Sequence, residues 1–247
     1  MKKTILNFIR RIFGINALFE SQELIINQNK EIIQAFKFNS TIVDSEWFKF
    51  KSISPGGAAI DYSFFYTLYR VLSSIKPTNI LEFGLGQSSK MVHQYANFYN
   101  KKAVTVEHDP EWIDFFNKSK EGDYPVTTLL LDLETIKYNG FSCLSYQNCP
   151  EKFEGQKFDL ILVDGPFGFA PDTHYSRPQI IEISKKCLSS SFIIIIDDYE
   201  RKGEQATAEE IFRYFDVNHI PYVYAVYGSI KKHILITSPN NRFLTTL

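Results

Sequence analysis

Cysteine is scarce. Only Cys143, Cys149 and Cys187 occur in 247 residues, and none has the paired spacing of a metal knuckle. An odd count of unpaired thiols excludes a disulfide framework and points to reduced cysteines in a cytoplasmic setting. Excess charge of either sign is also missing: 27 Lys and Arg meet 28 Asp and Glu, for a formal net charge of -1. Without a general basic field, a nucleic-acid backbone is excluded as the main partner. No apolar run is long enough to span a bilayer. The basic, apolar start from Met1 to Phe13 lacks a signal-peptide core and cleavage site. Repeats and low-complexity tracts are absent.

What is present is a core: 44% of the residues are hydrophobic and 15% aromatic, enough for one α/β domain with a small N-terminal extension. The chain is organised around Ile80-Leu81-Glu82-Phe83-Gly84-Leu85-Gly86-Gln87-Ser88-Ser89-Lys90. An apolar run ends in an acid, two glycines follow at alternate positions, and serines open an amphipathic stretch. That reads as strand, tight turn and helix N-terminus, where free N–H groups face a ligand.

The other elements follow in order. Residues 1 to about 36 read as a helix with Ile5, Phe8, Ile9, Ile12 and Phe13 on one face. It packs on the domain or on a second subunit; as a membrane-surface helix it would give only weak peripheral contact and no stable insertion. Residues 37–53 read as irregular covering structure, so an extension over 1–53 precedes a catalytic-type domain over 54–247. A helix spans about Asp61 to Ile75, capped by Asp61. Strands are expected at 79–83, 103–106, 126–131, 158–163 and 192–196. Helices are expected after the glycine turn, around Trp112, at 179–188 and at 206–215. Residues 133–156 read as the least regular part. Tyr222–Tyr227 and His233–Thr237 form a closing hairpin. This alternation predicts a Rossmann-like, seven-stranded, mostly parallel sheet with a C-terminal antiparallel hairpin and helices on both faces.

Ligands of such sheets bind at the carboxyl ends of the strands. Glu82, Glu107, Asp132, Asp164 and Asp197-Asp198 stand at five successive strand ends, and the set is the functional signal. Gly84-x-Gly86-x-x-Ser89 with Glu107 about 20 residues on approaches a dinucleotide fingerprint, which suits a nicotinamide oxidoreductase. Glu82 opposes that reading, because a carboxylate before the first glycine repels a pyrophosphate. S-adenosylmethionine has a sulfonium, an amino group and no phosphate. Glu82, Gly84, Gly86, Ser88, Glu107, Asp132 and Asp164 are accordingly the candidate cofactor contacts, with Glu107 on the ribose hydroxyls and Asp132 near the adenine. A non-catalytic protein that keeps the fold for a partner is the third reading.

At these motifs the chain resembles the class I S-adenosylmethionine-dependent methyltransferases over roughly residues 55–240. Phe83-Gly84-Leu85-Gly86, Glu107-His108-Asp109 with Trp112, Val163-Asp164-Gly165-Pro166 with Gly168 and Arg177, and Asp198-Tyr199-Glu200-Arg201 are similar to the polysaccharide-biosynthesis methyltransferases, including the glucuronoxylan 4-O-methyltransferases. Gly165 and Asp197-Asp198 depart from that group, which tends to have Ala and His-Asp there. The resemblance implies O-methylation of a sugar or polysaccharide hydroxyl. A hydroxyl near neutral pH needs a base or a metal. Asp164, Asp197 and Asp198 are hard oxygen donors suited to Mg²⁺ or Mn²⁺. Asp164, Asp198 and His174 are the candidate catalytic groups. Arg177 is the candidate partner of a substrate carboxylate. Tyr175, Phe167 and Phe169 are candidates to stack on a sugar.

Overall fold

The computed structural model describes residues 14–57, 59–168 and 174–247. Five strands run parallel: β1 (Asn79–Phe83), β2 (Lys102–Glu107), β3 (Thr128–Leu130), β6 (Phe158–Val163) and β7 (Leu188–Ile196). The closing pair β8 (Val223–Gly228) and β9 (Lys232–Thr237) adds antiparallel to β7, with β9 inside. The order across the sheet is β3-β2-β1-β6-β7-β9-β8. Neighbouring strands therefore reverse direction of growth at β1 and β6, which opens a crevice at their carboxyl ends.

Both faces of the sheet are covered, which is why its central strands read as continuous apolar runs. Side chains alternate across a strand. Ile80, Leu160, Leu162, Ile193 and Ile195 enter one core with α2 (Tyr62–Ile75) and α3 (Gln87–Tyr99), while Leu81, Phe83, Ile161, Val163, Ile194 and Ile196 enter another with α6 (Gln179–Lys186) and α7 (Lys202–Val217). Asp61 caps α2 by accepting from Phe64 N at 2.9 Å. Asp109 caps α4 (Pro110–Ser119) by accepting from Glu111 N and Trp112 N.

The structure shifts several expected boundaries. α1 runs Ile15–Thr41, beyond the expected end near 36; the expectation for residues 1–13 falls outside the described residues. Phe38, Ile42, Trp47 and Phe48 are buried in the same core as α2, so 37–53 covers the domain through aromatic packing. The stretch expected to be least regular holds a second small sheet, β4 (Leu133–Tyr138) against β5 (Phe141–Tyr146), followed by the short α5 (Cys149–Lys152). Asn139 and Gly140 close that hairpin with φ of 48° and 85°, the left-handed pair that a two-residue turn requires. The three cysteines are free and buried. No described helix is long and apolar enough to cross a membrane.

Candidate active site

A cavity of about 680 Å³ opens at the carboxyl ends of β1, β2 and β6, lined among others by Gly84, Gly86, Glu107, Trp112, Tyr146 and Asp164. Its size is that of a small-molecule pocket. Backbone bonds align the strand ends that surround it: Gly84 N donates to Val106 O, Asp164 N to Phe83 O and Asp197 N to Val163 O, at 2.9–3.0 Å.

The glycine turn has two different roles. Gly84 has φ of 95°, and a Cβ there would lie 2.6 Å from the Asp164 carbonyl oxygen. Its lack of a side chain lets the backbones just past β1 and β6 approach closely. A Cβ on Gly86 would meet no atom within 4 Å, and Gly86 lines the cavity. Gly86 thus leaves open the space that a ligand takes.

Glu107 is buried, and backbone donors hold it: Leu85 N on Oε2 at 3.0 Å, His108 N and Asp109 N on Oε1 at 2.6 and 3.1 Å. Trp112 donates Nε1–H to Leu85 O at 2.7 Å and stays 39% exposed on the cavity rim. His108 Nδ1 lies 2.7 Å from Glu107 Oε1, and its ring meets Phe167 edge-on at 5.2 Å. Phe167 also lines the cavity.

Glu82 takes a different position. It does not line the cavity. Its side chain lies on the α3 face of β1, where Ser88 Oγ and Thr105 Oγ1 each donate to it at 2.6 Å. His93 Nε2 extends the chain, 2.8 Å from Thr105 Oγ1. Burial pushes the Glu82 carboxyl up to about 7, and it pushes His93 down to about 4. The expected direct contacts Glu82 and Ser88 thus form a buried network that pins α3 beneath the turn. Asp132 is exposed and away from the cavity, because the chain passes directly from β3 into β4.

Asp164, Asp197 and Asp198 do converge. They offer carboxylate oxygens within 4.8 Å of one another. The cation among them is Arg177, which is 4% exposed. Its Nη2 reaches Asp198 Oδ2 at 2.8 Å and Asp164 Oδ1 at 3.2 Å. Nη1 donates to Asp197 O and Val163 O at 3.1 and 3.4 Å, and Nε donates to Pro166 O at 3.2 Å. A guanidinium has five N–H donors, and here all five are engaged. Arg177 therefore has no donor left for a substrate carboxylate, and the expected anchor is an internal counter-ion. Arg201 Nη1 adds a second cation 2.8 Å from Asp198 Oδ2, and Lys231 Nζ a third, 3.3 Å from Asp198 Oδ1 and 3.7 Å from Asp197 Oδ2. The residues expected to hold Mg²⁺ or Mn²⁺ thus already face three protein cations, and they do not fit a resident divalent ion.

Burial pushes Asp164 up to about 6, against the pull of Arg177. The same cause raises Asp197 well above the ordinary carboxylate range, and Asp164 and Asp198 reinforce it. Asp164 keeps 24% of its side chain exposed and lines the cavity, as does the more buried Asp198. Asp197 does not reach it. Arg177 and Asp198 both have positive φ, 57° and 59°, a strain that sites tolerate when the surroundings over-determine the backbone.

His174 and Tyr175 lie elsewhere. His174 stacks on Phe141 at 3.9 Å, and Tyr175 Oη donates to Glu210 Oε1 at 3.3 Å. Both rest on the β4–β5 hairpin, and neither lines the cavity. Phe169 is outside the described residues. In their place the hairpin contributes Tyr146, which no sequence signal marked. Its hydroxyl is buried at the cavity wall with no hydrogen-bond partner among the described residues. The Asn139-Gly140 turn was a legible hairpin signal, but the direction of Tyr146 was not.

No family model matches the chain. It is 29% identical over 168 residues to arabinogalactan O-methyltransferase 2 of Arabidopsis thaliana, covering 57% of this chain and 56% of that protein. The chain thus spans about half the length of the curated relative it matches. Among solved structures, a spermidine synthase in complex with the transition-state analogue AdoDATO aligns at 14% identity over 69% of this chain and 60% of that one, TM-score 0.46. The plantazolicin methyltransferase BpumL with SAH aligns at 13% over 70% and 80%, TM-score 0.39. A putative caffeoyl-CoA O-methyltransferase from Staphylococcus aureus aligns at 14% over 70% and 83%, TM-score 0.40. The sheet order with its antiparallel β9 between β7 and β8, the glycine turn after β1 and the acid ending β2 together make this the class I S-adenosylmethionine-dependent methyltransferase fold.

Proposed function

We propose that this chain is an S-adenosylmethionine-dependent O-methyltransferase that acts on a sugar hydroxyl of a glycan. The observation that carries the reading is the cavity itself: the turn, Glu107 and Trp112 form one side, and Asp164 and Asp198 form the other. The pocket fits the cofactor chemically. The Glu107 carboxylate is an acceptor for ribose hydroxyls, the exposed Trp112 ring offers a face for a base, and the orphaned Tyr146 hydroxyl is a donor in search of an acceptor. The cofactor supplies an electrophilic methyl group on a sulfonium.

The chain's own residues then have distinct work. For an acceptor hydroxyl to take that methyl group, its proton would have to go to a base on this chain. Asp164 is that base. It faces the cavity, and a carboxyl raised to about 6 is ionised yet still basic near neutral pH. Arg177 fixes its orientation through Nη2 at 3.2 Å. The glycan class is supported by the relative named for arabinogalactan methylation and by the resemblance of the motifs.

Transfer of a labelled methyl group to arabinogalactan and to glucuronoxylan tests the proposal, together with calorimetry against S-adenosylmethionine and NAD. The expected result is binding of the first cofactor alone, labelling of a glycan, and a loss of turnover of about 10²-fold or more in Asp164→Asn at unchanged cofactor affinity. Binding of NAD in place of S-adenosylmethionine would overturn the cofactor. Cofactor binding with no glycan labelled would overturn the acceptor class.

A further inference from the structure

The C-terminal part of the N-terminal helix α1 docks on the body, whereas residues 16–26 are exposed on every side, Leu24 included. Toward the body, Glu31 accepts from Tyr62 N at 2.9 Å and from Ser229 Oγ, and Phe38 is buried. At 3.6 residues per turn the opposite side carries two rows of apolar residues spaced by seven. Leu18, Ile25 and Ile32 are 59%, 55% and 65% exposed, and Phe19, Ile26 and Ile33 are 59%, 53% and 56% exposed. Between the rows lie Gln22, Asn29 and Phe36, again seven apart, with Phe36 73% exposed.

We infer that this face is a dimerisation surface whose occupant is the same face of a second copy of the chain, packed antiparallel. A seven-residue apolar period is the pattern of helices that pair along a seam, and polar residues at one heptad position set the register of such a pair. Gln22 and Asn29 occupy that position. They are poor residues for contact with lipid. The helix also carries Glu20, Glu23 and Glu31 against Lys30 and Lys37, so it lacks the cationic face that draws a helix to an anionic bilayer. Glu23 and Lys30 lie seven apart on one flank of the stripe. A two-fold antiparallel pair places Glu23 of each copy beside Lys30 of the other, as an isologous interface demands. The area suffices as well. Seven apolar side chains, each contributing roughly 100 Å² as half of a large side chain, give on the order of 700 Å² per copy, near the roughly 800 Å² per partner of a stable interface.

Light scattering coupled to size exclusion, on the full chain at micromolar concentration, tests the inference independently of the proposed activity. The native chain is expected to be a dimer. Ile26→Asp with Ile33→Asp changes only exposed positions, so circular dichroism and melting of the body should stay native while the mass halves. Glu23→Lys alone should weaken the dimer at least tenfold, and adding Lys30→Glu should restore it. A monomeric native chain would overturn the inference. So would a dimer that survives the double aspartate variant, or a charge swap that restores nothing. A native monomer that floats with phosphatidylglycerol vesicles would replace the second copy with a membrane.

Discussion

Replacing Arg177 by methionine tests whether the acid cluster is held by an internal cation. The side chain is 4% exposed and spends all five N–H donors, two of them on Asp164 and Asp198. Methionine has a comparable reach and no charge. Its introduction leaves Asp164, Asp197, Asp198 and the fully buried Glu204 against Arg201 and Lys231 alone. Breaking a buried pair from one side costs about 3–5 kcal/mol. At about 2–4 °C per kcal/mol for a chain of this size, the melting temperature should fall by on the order of 10 °C. The loss must depend on pH. Asp164 already titrates about 6, above its ordinary 3.8, and without the guanidinium it rises further. A carboxyl whose folded pKa is raised contributes stability below its unfolded pKa and loses it as pH rises through the folded one. The deficit of the variant should therefore be small near pH 5 and largest near pH 8. Melting curves over that range, with and without millimolar Mg²⁺ or Mn²⁺, provide the assay. The metal should leave the native melt unchanged and raise that of the variant, where three carboxylates within 4.8 Å have lost their arginine. A variant that melts with the native chain at pH 8, or a native chain stabilised by the metal as much as the variant, would refute the counter-ion argument.

Two further perturbations separate fold from ligand. Gly86→Val should keep the native melt and lose S-adenosylmethionine binding, because its side chain enters open space at the cavity wall, whereas Gly84→Ala should destabilise the fold through contact with the Asp164 carbonyl. A folded Gly86→Val protein with native affinity, measured by calorimetry, would place the ligand away from the turn. Glu82→Gln should leave the melt unchanged at pH 5 and raise it at pH 8, since burial holds the native carboxyl up at about 7 and its stabilising contribution is lost as pH passes that value. A glutamine variant less stable than the native chain at pH 8 would show that the charge on Glu82 is needed by Ser88 and Thr105.

The limits of the sequence reading follow from how far each signal reaches. β1 and β6 were legible to the residue, because a strand buried on both faces between turn residues has no other reading. The convergence of the strand-end acids at β2, β6 and β7 followed from topology, since parallel strands bring their carboxyl ends to one edge. Side-chain direction did not follow. Glu82 stands one residue before Phe83, and alternation across the strand sends it to the α3 face, away from the crevice; its place in the ladder held that information, which the motif alone hid. Asp132 was lost for a different reason: the hairpin after β3 begins at once and carries the chain outward. The cation is the most instructive case. Three acids at neighbouring strand ends look alike whether a metal, a lysine or an arginine answers them. What distinguishes these is a contact 13 to 34 residues along the chain, from Asp164 to Arg177 and from Asp197 to Lys231, the second spanning α7 and β8. Arg177 at a positive φ of 57° is the kind of residue that local propensity argues against. A non-glycine residue persists there only when the surrounding bonds exceed the cost, roughly 1–3 kcal/mol. Five hydrogen bonds into the crevice meet that requirement, so the strained backbone and the engaged guanidinium are one feature of the site seen twice.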